Sequence, residues 1–285
     1  MTEAPHANRD GSALGHGAWP IAVLEASLGA IVPGCRVELV DAIDSTNSEL
    51  MRRARAGNVS PTLLVAQHQS AGRGRMGRSW HSQGAPSVGT SSQSAPPLAS
   101  LTFSFGIALA PHDWSGLSLA VGLAVASSLH PDLGLKWPND IWFNGRKLAG
   151  ILIETAGAAE CRFTVIGVGI NVAPRDPTGL STPPACLQEL LPEVDAAGAL
   201  VRVAAPLVQA IKLFEQQGFA PLRGAFERRD VLRGQSVSLS DGRIGRAFGV
   251  DENGALLVHT SDGMLHVTSA EVSVRPTGAR AGGPR

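Results

Sequence analysis

The pattern of apolar and polar positions divides the chain into a larger α+β region and a smaller β region. Strand-like spacing occurs at residues 36–40, 62–67, 101–109, 135–137 and 163–168, and helical spacing at 21–32, 114–129 and 200–217. Thr46 and Glu49 have the spacing of a capping box, so we expect a helix that begins there and ends at Gly57. Asn144 and Gly145 lie between two apolar runs and predict a type I′ hairpin.

After Arg233 the pattern changes to short strands separated by Asp-Gly and Asn-Gly turns, which favours a small β-barrel. We therefore expect an N-terminal extension over residues 1–35, an α+β domain over residues 36–228 and the barrel over residues 232–278. Serine, glycine, proline and glutamine dominate residues 82–100, and this composition predicts a mobile insertion.

Composition excludes some classes of function. Lysine plus arginine equals aspartate plus glutamate, at 24 each, so no net charge favours nucleic acid or an anionic membrane. Three scattered cysteines without a C-x-x-C pair favour a reducing compartment over a disulfide framework. The first residues lack a secretory signal, and no apolar run approaches the roughly 20 residues that cross a bilayer. We expect a cytoplasmic protein without a membrane segment.

The stretch from Gln69 to Trp80 interleaves three glycines with three arginines. Glycine lets backbone N–H groups approach an oxyanion, and the planar guanidinium matches carboxylate or phosphate. A dinucleotide fingerprint would need a helix after Gly77, which the sequence does not offer. Segments of the RGG type for single-stranded nucleic acid usually repeat, and this one occurs once. An anion site and a solvated basic loop remain equally supported by this stretch alone.

A second group of candidates flanks the predicted hairpin. Lys136 and Lys147 lie on either side of it, and adjacent antiparallel strands can bring them together. Single lysines are more often solvated. By itself the segment from Asp44 to Asn47 is better explained as a helix cap, and Gly167 to Asn171 could be only a bend at a strand end.

Taken together, these segments resemble the bacterial biotin protein ligases. The motifs are Ser-Thr-Asn at 45–47, Gln-x-x-Gly-Arg-Gly-Arg-x-Gly-Arg-x-Trp at 69–80, Lys-Trp-Pro-Asn-Asp at 136–140, Lys-Leu-Ala-Gly-Ile-Leu-x-Glu at 147–154 and Gly-x-Gly-Ile-Asn at 167–171. They occur in the family's order and at its usual intervals. The resemblance covers residues 36–226 strongly and the C-terminal part, as far as Arg275, more loosely.

The resemblance implies an α+β catalytic domain related to class II aminoacyl-tRNA synthetases, followed by an SH3-like barrel. It implies an ATP-dependent ligase that forms biotinyl-5′-AMP and transfers biotin to a lysine of the biotin carrier protein of a carboxylase. ATP, biotin and Mg²⁺ are the expected small molecules, and the magnesium ligands cannot be assigned. A monomer or weak homodimer is expected.

The resemblance also assigns residues. Biotin contacts are implied for Ser45, Thr46, Asn47, Gln69, Gly72, Arg73, Gly74, Arg75, Trp80, Lys147, Gly150, Gly167 and Gly169, and ATP contacts for Arg73, Arg78, Lys136, Asn139, Asn171 and Arg275. Lys147, Lys136 and Arg75 are the implied catalytic residues. These types suit the ligand, because a ureido ring needs paired donors and acceptors while the bicycle and valeryl chain need close apolar walls.

Three alternatives to this function were weighed, the first with the same fold and the other two from different classes of protein. A lipoate or octanoate ligase shares the fold but typically carries Arg-Arg-x-Ser-Gly-Gly-Gly in place of the arginine-rich motif. A biotin-sensing repressor needs a DNA-reading domain, for which the residues before Arg36 are too few, so no specific DNA binding is expected. A nucleotide-binding module without ligase activity is the third.

Overall fold

The computed structural model describes residues 19–81, 98–157, 160–175, 184–268 and 274–276. The predicted mobile insertion therefore lies outside the described residues except for its last three, Leu98 to Ser100. The helices are α1 Ile21–Gly29, α2 Thr46–Arg55, α3 Leu117–Leu129, α4 Ala196–Gln217 and α5 Arg223–Glu227. The strands are β1 Arg36–Ile43, β2 Thr62–Gln69, β3 Ser100–Leu109, β4 Gly134–Lys136, β5 Asp140–Phe143, β6 Arg146–Ala156, β7 Arg162–Asn171, β8 Ser236–Leu239, β9 Ile244–Val250, β10 Leu256–Thr260, β11 Gly263–Val267 and β12 Val274–Pro276.

Seven strands form one mixed sheet in the order β1-β2-β3-β7-β6-β5-β4. Only β1 and β2 pair in parallel among these strands. Apolar side chains of α1, α3 and α4 pack with Phe103 and Phe105 of β3 in the main core on one face. On the other face, Leu50 and Met51 of α2 pack against Phe163 in a smaller cluster. Because α2 is short, it leaves part of this second face open for a cleft.

The C-terminal strands form a separate antiparallel sheet in the order β11-β10-β9-β8-β12. The Trp137 indole N–H donates to the carbonyl of Gly254 at 3.0 Å, which joins this sheet to the larger unit. Backbone bonds from Leu135 to Arg229 and from Val231 to Leu135 fasten the connecting segment to β4. The predicted α+β class with a small C-terminal β unit is confirmed.

Local sequence signals predicted most elements, with corrections at their ends. Asn144 and Gly145 have positive φ angles of 47° and 73°, as a type I′ turn requires. The helix expected from residue 114 begins only at Leu117, after Gly116 with φ 84°. The predicted capping box was wrong in register: the N-cap of α2 is Ser45, which accepts from the Ser48 N–H. Helix α5 was not predicted.

Helix α4 corrects one expectation from composition. It has 22 residues, and the mean hydropathy of its most apolar window of 18 residues is 1.5, so by length and composition it is long and apolar enough to cross a membrane. The expectation that no apolar segment reaches this length is therefore wrong. Half of its most apolar window is buried, and its inner face packs in the main core with α1 and α3. This packing is that of a core helix.

Asp230 lies in the segment between α5 and β8, which connects the two sheets, and its carboxyl group is buried. Asp230 Oδ1 accepts from the Leu232 N–H at 2.9 Å, whereas buried Oδ2 has no hydrogen-bond partner among the described residues. Burial raises the pKa of Asp230 from 3.8 to about 6. Because the folded state binds the proton more tightly, the free energy of unfolding falls as pH rises through this window.

We expect Asp230→Asn to raise the free energy of unfolding on the order of 1 kcal/mol at pH 8 and to change it little at pH 4, because the uncharged amide removes the buried charge. Thermal melts at both pH values measure the difference. Asp262→Asn in an exposed turn is the control. A gain of the same size at both pH values would show that the charge of Asp230 is not the cause.

Candidate active site

A cleft on the α2 side of the main sheet collects most of the residues that the sequence singled out. Those that line it are Ser45, Thr46, Asn47, Gln69, Arg73, Gly74, Arg75, Arg78, Trp80, Lys136, Asn139, Lys147, Gly150, Gly167 and Gly169. They come from five separate segments of the chain. The strand order explains the convergence, since β2, β3, β7, β6 and β5 are consecutive neighbours in the sheet.

The floor of the cleft is a buried set of neutral polar side chains. Gln69 Oε1 accepts from the Thr46 backbone N–H at 2.7 Å and lies 3.1 Å from Thr46 Oγ1. Ser104 Oγ lies 2.7 Å from Thr46 Oγ1 and 2.6 Å from Asn47 Oδ1. All four side chains are buried, and Ser104 is fully so. Neutral groups in such a setting suit a ligand with its own donors and acceptors.

A tryptophan and two glycines form an apolar wall. A methyl group on Gly169 would lie 2.4 Å from Trp80 Cε2, and one on Gly150 would lie 3.6 Å from Trp80 Cζ3. The indole therefore packs on the bare backbone of β7 and β6. The guanidinium of Arg175 lies 5.8 Å from the centre of the Trp80 ring, within the range of a cation–π contact.

Around Asp140 the cleft is cationic. Of the described residues lining it, five carry positive charge, namely Arg73, Arg75, Arg78, Lys136 and Lys147, and one, Asp140, carries negative charge. The Lys147 ammonium lies 2.6 Å from Asp140 Oδ1, because β5 and β6 pair across the hairpin. The Lys136 ammonium lies 5.0 Å from the centre of the Trp142 ring. Burial lowers the pKa of Arg75, and the nearby Arg78 charge lowers it further.

The arginine-rich loop is tied to the sheet by a carboxylate. Arg73 forms an ion pair with Glu154 of β6 at 2.9 Å, and Glu154 also accepts from the Asn47 amide at 3.0 Å. Within the loop, the backbone N–H of Trp80 donates to the Gly72 carbonyl at 2.8 Å, and Arg73 and Ser79 form an isolated antiparallel β-bridge. Arg75 NH1 lies 3.4 Å from Asn139 Oδ1, which places the loop against β5.

Three predicted site residues are not among the described residues that line the cleft. Gly72 packs against Trp80, where a methyl group would be 2.4 Å from the Trp80 carbonyl oxygen. Asn171 is fully buried and donates to the carbonyls of Lys147 and Ala185 at 3.3 and 3.1 Å. The side chain of Arg275 lies outside the described residues. The ligand contacts assigned to these three residues stay predictions.

Sequence reasoning gave no role to several residues at the site. Asp140 and Glu154 stand within the quoted motifs. A carboxylate close in sequence to several cationic residues could have identified them as site residues. Ser104 of β3 and Arg175 after β7 carry no local signal. Their positions depend on pairing between distant strands.

The fold and cleft define the class of protein. A neutral polar floor, an indole wall and a cationic part lie in one cleft of an α+β domain. Such a site can hold both a ring with donors and acceptors and phosphate or carboxylate groups. This arrangement is typical of an enzyme that joins an organic acid to a phosphate-bearing substrate.

Comparison with known proteins identifies the family. Residues 39–171 match the Biotin/lipoate A/B protein ligase family, and residues 234–275 match the Biotin protein ligase C terminal domain. The chain is 33% identical over 240 residues to a biotin--[acetyl-CoA-carboxylase] ligase of Paracoccus denitrificans, covering 80% of this chain and 96% of that one. It is 34% identical over 272 residues to the bifunctional ligase/repressor BirA of Escherichia coli strain K12, covering 90% and 79%.

The fold agrees with this result. The biotin protein ligase from Aquifex aeolicus, solved in complex with biotin and ATP, matches with a TM-score of 0.69 and 30% identity. The match covers 85% of this chain and 99% of that one. The chain belongs to the biotin protein ligase family, and the resemblance inferred from the five motifs is confirmed.

Proposed function

We propose that this protein forms biotinyl-5′-AMP from biotin and ATP and transfers biotin to a lysine of the biotin carrier protein of a carboxylase. The observation that carries the proposal is that a neutral hydrogen-bonding floor and five cations line the same cleft. The floor suits the ureido ring of biotin, and the cations suit its carboxylate and the phosphates of ATP. Family membership supports the same activity.

The floor favours biotin over lipoate, the nearest alternative substrate. The ureido ring offers two N–H donors and a carbonyl acceptor to Thr46, Asn47 and Gln69. A dithiolane ring offers none of these, so buried polar groups would lose water without gaining a partner. A site built to hydrogen-bond its substrate rejects such an analogue strongly.

In the proposed first step, a biotin carboxylate oxygen attacks the α-phosphorus of ATP, the bond to the bridging oxygen breaks and pyrophosphate leaves. Such a reaction depends on alignment and on neutralising the negative charge that grows in the transition state. Lys147, Lys136 and Arg75 line the cationic part of the cleft and are the residues we assign to this task. Trp80 on the bare backbone of Gly169 would hold the acyl end in place.

In the second step, the neutral amine of the acceptor lysine attacks the acyl carbonyl of the adenylate. An amide bond forms, AMP leaves, and the amine gives up a proton. The mixed anhydride already carries the driving force, so the step needs no nucleophile from the enzyme.

Magnesium is expected with a triphosphate substrate. Mg²⁺ is usually held by one or two carboxylates together with phosphate oxygens and water. Asp140, the sole carboxylate among the described lining residues, fits this chemistry. The described residues contain no cluster of three or more His, Cys, Asp or Glu, and no ligand set is assigned. A cytoplasmic location, a monomer or weak homodimer and the lack of specific DNA binding stay predictions.

Calorimetric titration tests the substrate. We expect the protein to bind biotin, and to bind lipoate at least about a hundredfold more weakly, because the floor would be left unpaired. With Mg²⁺ and ATP present, biotin should produce pyrophosphate and lipoate should not. Equal affinity for the two acids, or pyrophosphate release with lipoate alone, would contradict the proposal.

A further inference from the structure

Trp142 of β5 lies between the two lysines of the cleft. Its register partner in β6 is Lys147, and its register partner in β4 is Gly134, two positions before Lys136. Residues two apart on a strand point to the same face of the sheet. Both lysines line the cleft, and the Lys136 ammonium lies 5.0 Å from the centre of the Trp142 ring. The indole therefore lies on the cleft side of the sheet, beside the residues that line it.

The two lysines are held by different chemistry. Lys147 forms an ion pair with Asp140 at 2.6 Å, and the carboxylate offsets the charge of its ammonium. Lys136 lies over the face of Trp142. The negative face of an indole attracts a cation within about 6 Å, yet the ring has no net charge. Trp142 can therefore hold an ammonium in place without neutralising it, which suits a cation that has to meet phosphate.

The indole N–H of Trp142 shows that the ring is not placed by a hydrogen bond of its own. Trp142 Nε1 is buried and has no hydrogen-bond partner among the described residues. A buried tryptophan usually finds such a partner, and a donor that lacks one is unfavourable. The ring thus takes an orientation that leaves its N–H unpaired and sets its face against Lys136.

Simple packing is the alternative role for Trp142. A packing residue acts through its volume, so its loss would lower stability and would affect the two substrates alike. A cation–π contact acts through the ring face, so its loss would affect only what Lys136 binds. The two roles therefore differ in which ligand they concern and in whether the effect of Trp142 depends on Lys136.

We propose that Trp142 is a positioning residue that holds the Lys136 ammonium in the cleft and so raises the affinity for the triphosphate of ATP. Trp142 acts through Lys136 and does not need to touch the ligand. The inference rests on the proposed function, which assigns Lys136 to the growing charge of the phosphates. It adds that the two lysines are positioned separately, Lys147 by a carboxylate and Lys136 by a ring.

Calorimetric titration with α,β-methylene-ATP, whose α–β bridge cannot be cleaved, tests the inference in the presence of Mg²⁺ and saturating biotin. Trp142→Leu keeps an apolar side chain but has no π face. We expect its Kd for the analogue to rise about fivefold, which corresponds to a contact of about 1 kcal/mol. Its Kd for biotin should stay within about twofold of wild type. Trp142→Phe keeps a weaker aromatic face, so its loss of affinity for the analogue should be smaller.

A double-mutant cycle determines whether Trp142 acts through Lys136. Lys136→Met removes the ammonium and keeps an unbranched side chain. In that background Trp142→Leu should lower the affinity for the analogue no further, because the contact between ring and ammonium is already absent. Thermal melts show which variants are folded, and Trp142→Met replaces Trp142→Leu in the cycle if the leucine variant is unfolded.

Trp114→Leu is the matched control. Trp114 is half-buried like Trp142, and the guanidinium of Arg162 lies 5.5 Å from the centre of its ring. Neither Trp114 nor Arg162 is among the described residues that line the cleft. The substitution removes a similar cation–π contact and the same volume, so the Kd values for biotin and for the analogue should both stay at wild type.

The outcomes separate this inference from the proposed function. Wild type that binds neither biotin nor the ATP analogue overturns the proposed function. Wild type that binds both, beside a folded Trp142→Leu with unchanged affinity for the analogue, overturns the positioning role alone. An equal loss of affinity for biotin and for the analogue also overturns it. So does a loss in the Lys136→Met background as large as that in wild type, because Trp142 would then act without Lys136.

Discussion

Replacing Lys147 with alanine should lower biotin-dependent pyrophosphate exchange by about 10²–10³, or on the order of 2.7–4 kcal/mol of transition-state stabilisation. The Lys147 ammonium lies beside Asp140 in the cationic part of the cleft, where the proposed reaction gathers negative charge. The stabilisation that the Lys147 ammonium provides grows with that charge. The substitution should therefore lower the exchange rate more than it lowers the affinity for biotin.

A matched lysine elsewhere in the chain provides the control. Lys212 of α4 pairs with Glu215, and its side chain is 38% exposed, against 40% for Lys147. Both substitutions remove one half-exposed ion pair, so each should change the free energy of unfolding by less than about 1 kcal/mol. Only Lys147→Ala should change the exchange rate. Normal exchange in a folded Lys147→Ala protein would remove this residue from the proposed mechanism.

Adding one methyl group at Gly169 should weaken biotin binding by about tenfold to a hundredfold. The new carbon would lie 2.4 and 2.6 Å from Cε2 and Cζ2 of Trp80, closer than real contacts allow. Because β7 is a central strand, the half-buried indole has to move instead of the backbone. Overpacking of this kind costs about 1–3 kcal/mol, and here it falls on the wall of the cleft.

Calorimetric titration of Gly169→Ala measures this loss beside Gly29→Ala, where an added methyl group meets nothing within 4 Å. The tryptophan fluorescence of Gly169→Ala should also change on substitution, whereas that of Gly29→Ala should not. Wild-type affinity for biotin in Gly169→Ala would mean that Trp80 does not form part of the binding wall.

The sequence alone determined the elements and the composition of most of the site. Alternating and continuous apolar runs predicted β1 to β4 and β7, and the Asn144–Gly145 turn between two apolar runs predicted β5 and β6, because few other residues adopt two positive φ angles in succession. The resemblance to the biotin protein ligases assigned fifteen of the residues that line the cleft. The signals for strands and turns are local, since glycine, capping residues and alternation act through neighbouring backbone atoms.

Only the tertiary structure decided which of these residues work together. Ser104 meets Thr46 and Asn47 across 58 and 57 positions of the chain, and Glu154 meets Asn47 across 107. Asn171, a predicted ATP contact, is buried and donates to the carbonyls of Lys147 and Ala185, which come from two other segments of the chain. A side chain takes its hydrogen-bond partner from whatever the sheet register places within about 3 Å, and register depends on strands that are far apart in the chain. Residue types can therefore be read locally, whereas their orientation and partners require the fold.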